Sequence, residues 1–129
     1  MLDCPFCQIV AGEKPNFRVY EDANFLAFLD INPVVEGHTL VIPKKHHQWL
    51  WEIEVPGFFM ATQKVSRMIL KGLNVPFVSY LSMGLQAPHA HLHIIPRKIG
   101  DGLFVFEGKD QLASTPLALS VVANKIIGQ

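Results

Sequence analysis

Three histidines, His89, His91 and His93, occupy alternate positions in the run Pro88–Arg97. Imidazole titrates near neutral pH and serves as nucleophile, proton carrier or metal ligand. The residues between them, Ala90, Leu92 and Ile94, are apolar, which predicts a half-buried strand of period two. On such a strand the three rings share one face about 7 Å apart, and the apolar side chains enter the core. Two chemistries follow. A central imidazole could attack phosphorus to give a phosphohistidine-type intermediate that water resolves, with a neighbouring ring on a phosphate oxygen. The three rings could equally ligate zinc, as in His-rich catalytic sites. A solvated sheet face accounts for one histidine more readily than for three in register.

A second set opens the chain. Cys4 and Cys7, the two cysteines present, form one Cys-x-x-Cys. Met1-Leu2-Asp3-Cys4-Pro5 has neither the basic nor the apolar segment of an export signal, so a structural disulfide is not expected. A metal half-site, a redox pair and two buried thiols remain. A thioredoxin-like pair would follow a strand, and only three residues precede Cys4, so metal ranks above redox.

The elements that must position these groups can be read in order. Cys4–Ala11 forms a short helical segment stopped at Gly12. Phe17–Glu21 alternates as a strand. Phe25–Ile31 is more continuously apolar, as a central strand covered on both faces would be. His38–Pro43 is a third strand, and Gln48–Ile53 a short helical stretch. Pro56 and Gly57 open the main helix, Phe58 to Leu70, with Phe58, Ala61, Val65, Met68, Ile69 and Gly72 on one side and Gly72 as its stop. Phe77–Met83 leads into the histidine strand. Leu103–Phe106 reads as an edge strand or partner-facing arm. Thr115 caps a last helix that starts at Pro116 and runs to about Ile127. Strands in hairpin-like pairs favour an antiparallel α+β sheet over a doubly wound fold.

At 129 residues, half of them apolar, the chain is expected to form one domain, residues 1–129. No apolar run approaches a membrane span, so a cytoplasmic protein with no membrane partner is expected. Net charge is zero and no Lys/Arg run exceeds two residues, which disfavours a nucleic-acid polymer but not a single nucleotide.

The histidine run resembles the signature of the histidine-triad (HIT) family of nucleotidyl hydrolases and transferases, His-x-His-x-His followed by two apolar residues. Phe28-Leu29-Asp30-Ile31-Asn32-Pro33 with Gly37-His38-Thr39-Leu40-Val41-Ile42-Pro43-Lys44-Lys45-His46 is similar to that family's upstream half. Cys4-Pro5-Phe6-Cys7-Gln8-Ile9-Val10-Ala11-Gly12-Glu13 resembles its opening, so the similarity spans residues 4–97. It departs at Leu81–Pro88, which is shorter than the family's glycine-rich loop and lacks its asparagine. The contacts that the longer loop makes in the family, to the phosphates or the leaving group, therefore do not carry over.

The resemblance implies a HIT-like fold: a mainly antiparallel five-stranded sheet, a main helix and a C-terminal helix. It implies hydrolysis at the α-phosphate of a nucleoside phosphoramidate or dinucleoside polyphosphate. His91 would be the nucleophile, His93 the phosphate contact, and His38 would complete the set. Asp30 would bind ribose, although an aspartate at a strand end also caps turns. Phe6, Ile9, Phe28 and Ile31 would enclose the base, although such residues are more often plain core. Gln86 would stand near the leaving group. A structural zinc on Cys4, Cys7, His46 and His89 is implied, with His47 the neighbouring alternative to His46, as is a homodimer with a continuous sheet. No organic cofactor is expected. A nucleotide-binding module with vestigial catalysis and a metalloenzyme using the histidine row are the competing readings.

Overall fold

Phe25-Leu26-Ala27-Phe28-Leu29 is apolar at every position because both of its faces are covered. In the computed structural model, which describes residues 3–103 and 114–128, all five side chains are buried. The elements are α1 (Pro5–Val10), β1 (Arg18–Glu21), β2 (Phe25–Leu29), β3 (Thr39–Pro43), α2 (Phe58–Leu73), β4 (Phe77–Leu81), β5 (Leu92–Arg97) and α3 (Pro116–Ile127), with a single 3-10 turn at Leu50–Glu52. The sheet has the order β1-β2-β3-β5-β4, and every neighbouring pair is antiparallel. This is the five-stranded α+β architecture that the sequence predicts.

Alternation along the strands divides the core in two. On one face Val19, Ala27, Leu29, Val41 and Ile94 meet Val65 and Ile69 of α2 and Leu119, Val122, Ala123 and Ile126 of α3. On the other, Leu26, Phe28, Leu40 and Ile42 meet Phe6, Ile9 and Val10 of α1. Leu40 is paired with His93, and His38 lies two residues before Leu40. Parity therefore places both histidines on the α1 face.

Several boundaries differ from expectation for identifiable reasons. The strand expected over Pro88–Arg97 begins only at Leu92, so His89 and His91 precede it. Its partner β3 ends at Pro43, which has no N–H for the ladder, and the Ala90 N–H is taken by the His47 carbonyl at 2.6 Å. β2 ends at Leu29 instead of Ile31, and β4 at Leu81 instead of Met83. The helical stretch expected over Gln48–Ile53 is the 3-10 turn alone. α2 passes through Gly72 to Leu73, and the left-handed stop is Asn74 (φ 54°), whose N–H bonds to the Leu70 carbonyl. Thr115 caps α3 as expected, its side chain accepting the Ala118 N–H at 3.1 Å. Of the apolar segment Leu103–Phe106, all but Leu103 lies outside the described residues.

One glycine governs the approach to β3. Gly37 has φ +90°, and a Cβ there would collide with Leu73 Cδ1 and come within 3.1 Å of Pro96 Cγ. A left-handed penalty and overpacking both oppose a side chain, so Gly37→Ala should cost about 2 kcal/mol or more. Urea unfolding of the two proteins measures this directly.

Candidate active site and adjoining metal-ligand cluster

A cavity of about 570 Å³ opens on the α1 face. Its lining includes all nine residues expected to act on substrate: Phe6, Ile9, Phe28, Asp30, Ile31, Gln86, His38, His91 and His93. Four elements contribute them. α1 brings Phe6 and Ile9, β2 with its exit brings Phe28, Asp30 and Ile31, and His38 immediately precedes β3, which begins at Thr39 and not at His38 as expected. The chain from Gln86 to β5 brings the remainder. Ile31 is 61% exposed, so it forms the rim and not a buried wall. The lining also includes Leu40, Val34, Lys14 and Asn16, which were not singled out from sequence. Asn16 Oδ1 is a buried side-chain atom with no hydrogen-bond partner.

The triad histidines are all buried, His89 at 0%, His91 at 2% and His93 at 6% exposure, which rules out a solvated face. Their hydrogen bonds fix the proton on each ring. His91 Nδ1 lies 2.8 Å from the His89 carbonyl. A carbonyl only accepts, so His91 carries its proton on Nδ1 and its lone pair on Nε2. His38 Nδ1 accepts the Val34 N–H at 3.1 Å, so neutral His38 is protonated on Nε2. That proton is given to His93 Nδ1 at 2.8 Å, which places the His93 proton on its own Nε2. His91 and His93 are neighbours, their ring centroids 4.9 Å apart. Phe6 stands edge-on to Phe28, His89 and His91 at 5.6, 5.7 and 5.4 Å.

Asp30 caps a turn and also lines the cavity. Oδ1 caps the turn by accepting the Asn32 N–H at 2.8 Å, while Oδ2 lies 3.6 Å from His38 Nε2.

Burial, and then the neighbouring His93 and His91, push His38 down from the usual 6.5 to about 3. Between those values the unfolded chain binds a proton that the folded chain refuses, so stability rises with pH there. His38 should contribute a loss of about 1.4 kcal/mol per pH unit as pH falls below 6.5. The check is urea unfolding at pH 7 and pH 5, where the wild-type loss should exceed that of His38→Asn. Equal losses would contradict a neutral buried His38.

Behind the cavity, one donor atom each from Cys4, Cys7, His46 and His89 converges, all within 4.8 Å of one another. The ring Nδ1 atoms of His46 and His89 are 3.1 Å apart, Cys4 Sγ is 3.3 Å from His89 Nδ1, and Cys7 Sγ is 3.2 Å from His46 Nδ1. His89 Nε2 faces the Pro43 carbonyl at 2.8 Å and must donate, which leaves the Nδ1 lone pair pointing into the cluster. Burial holds His89 at about 4 and also lowers His46, so both rings stay neutral, as ligands must be. Burial, then the Cys4 side chain, raises the Cys7 thiol. A tetrahedral zinc would space nitrogens about 3.3 Å apart and nitrogen from sulfur about 3.6 Å. The donors fit that group. His46 is the member of the set; His47 contributes its carbonyl to Ala90 instead.

Among the described residues no helix is long and apolar enough to cross a membrane. The family model described as the HIT domain matches residues 11–100. An uncharacterised HIT-like protein of Methanocaldococcus jannaschii is 42% identical over 113 residues, covering 82% of this chain and 88% of that one. An adenylylsulfatase of Arabidopsis thaliana is 37% identical over 113 residues, 81% of this chain and 57% of its own length. The crystal structure of a zinc-bound histidine triad family protein from Mycobacterium smegmatis is 31% identical, with a TM-score of 0.75, covering 98% of this chain and 92% of that one. With the motif residues gathered on one sheet face and the domain match running over most of its length, this chain belongs to the HIT family.

Proposed function

We propose that the protein is a nucleotide-binding hydrolase that cleaves at the α-phosphate of a nucleoside phosphoramidate or a dinucleoside polyphosphate. The observation that carries this is the His91 tautomer, which aims chemistry at Nε2 in the wall of a nucleotide-sized cavity. His91 Nε2 attacks phosphorus and the bond to the leaving group breaks. Water then attacks the phosphohistidine-type intermediate, releasing a nucleoside monophosphate and restoring the ring. His93 Nε2–H donates to a phosphate oxygen, and His38, held by Val34, keeps that proton where it is needed. Asp30 receives the ribose hydroxyls. Phe6, Ile9, Phe28 and Ile31 enclose the base, and Gln86 stands on the leaving-group side. The relative named an adenylylsulfatase supports cleavage at an adenylyl group.

A zinc on Cys4, Cys7, His46 and His89 would be structural, because a four-ligand protein set leaves no open position for substrate. The zinc-bound relative supports zinc as the metal. A catalytic metal on Asp30, His38 and His93 is disfavoured: the 2.8 Å nitrogen–nitrogen contact is a hydrogen bond that occupies both donor atoms.

The test is a panel of adenosine phosphoramidate, diadenosine polyphosphates and adenylyl sulfate in ¹⁸O-water. AMP should form from at least one, and its phosphate should carry the label. AMP binding without turnover of any member would favour the vestigial module instead.

The partner is a second copy of this chain. β4 is an edge strand whose Phe77 and Tyr80 are exposed, next to exposed Phe59 and Met60 of α2. Pairing of two β4 edges would extend the sheet and cover this patch. Sedimentation equilibrium should give twice the 14.4 kDa chain mass, and Tyr80→Lys should shift the protein to monomer.

A further inference from the structure

Helix α1 and its N-cap Cys4 carry part of the cavity wall and two of the four candidate metal ligands. The helix has six residues, none of them buried, and one that short does not hold itself together. Its attachments are the contacts of Phe6, Ile9 and Val10 with the sheet and the cluster of Cys4 and Cys7 with His46 and His89. His89 has a matching double duty. Its ring enters the cluster, while its carbonyl holds the Nδ1 proton of His91. Phe6, one residue before Cys7, touches the rings of both histidines.

We infer that metal binding at this cluster and nucleotide binding in the cavity are thermodynamically coupled, with Cys4, Cys7 and His46 as positioning residues for Phe6 and for the His89 carbonyl. The inference rests on the nucleotide reading above. Without metal, the His46 and His89 Nδ1 atoms at 3.1 Å are joined by one shared proton, and Cys4 and Cys7 are held only by weak contacts of sulfur to those rings. α1 then loosens, the Phe6 wall retreats from the base, and the carbonyl that fixes the His91 tautomer moves. A nucleotide entering this state must restore the order itself, which lowers its apparent affinity. Linkage requires the converse: bound nucleotide tightens metal binding by the same factor.

The experiment measures AMP affinity by calorimetry on zinc-loaded protein, on chelated protein and on Cys7→Ser, and zinc affinity by chelator competition with and without saturating AMP. AMP should bind the loaded form about fivefold tighter or more, and AMP should raise zinc affinity by an equal factor. The ¹⁵N spectrum of His91 should report the Nδ1–H tautomer in the loaded form and a mixture after chelation. Phe6→Ala supplies an arm that needs no metal-free fold. It keeps all four donors, and its zinc affinity should respond to AMP less than that of the wild type. Equal AMP affinity with and without zinc, or undiminished coupling in Phe6→Ala, overturns the inference and leaves the nucleotide reading standing. Failure of AMP to bind the loaded protein overturns both.

Discussion

His91→Ala should lower turnover of the best adenylyl substrate by about 10⁴-fold or more, with AMP affinity changed less than about tenfold. The asymmetry follows from what the ring does. Its Nδ1 proton is held by the His89 carbonyl, and its Nε2 is the atom that bonds phosphorus in the proposed step. The base wall and Asp30 stand on other elements, so binding survives the truncation. His93→Ala should lose less, about 10²–10³-fold, because it removes a donor to developing charge and not the bond-forming atom. Its cost falls on kcat, and it also strands the His38 Nε2 proton, so a modest loss of stability should accompany it. Comparable rates for wild type and His91→Ala would remove His91 as the nucleophile.

What the sequence made legible was side-chain chemistry at fixed spacing. His91 and His93 were visible because two-residue alternation survives into the fold, even though the strand itself starts only at Leu92. His38 was assigned through the family pattern alone. It lies 55 residues from His93, and nothing local announces the β3–β5 pairing that joins them. The group that sets the His38 tautomer, the Val34 N–H, is backbone and leaves no mark in composition. Asn16 was missed for a related reason. It precedes β1 without any periodic signal and reaches the cavity because the Phe17 carbonyl bonds to the Leu29 N–H. The choice between His46 and His47 was likewise beyond spacing, since either neighbour satisfies it. The fold brings the ring of His46, and not that of His47, into the cluster.

Loss of zinc should lower the melting temperature by about 15 °C, since metal present at a thousand times its dissociation constant contributes about 4 kcal/mol to a domain of this size. Cys4→Ser isolates that effect. Cys4 is the N-cap of α1, its sulfur accepting the Cys7 N–H, and serine is among the best residues at that position. The cap therefore survives while the ligand is lost. His46→Ala discriminates further, because His46 is half-buried and lies outside α1. As an ordinary surface histidine it would cost about 0.5 kcal/mol at most; as a ligand it should cost nearly as much as Cys4→Ser. The double variant should then be scarcely worse than either single one, since a metal site can be lost only once. Additive losses in the double variant, or less than one zinc per chain in the purified protein, would leave Cys4, Cys7, His46 and His89 as a packed cluster and nothing more.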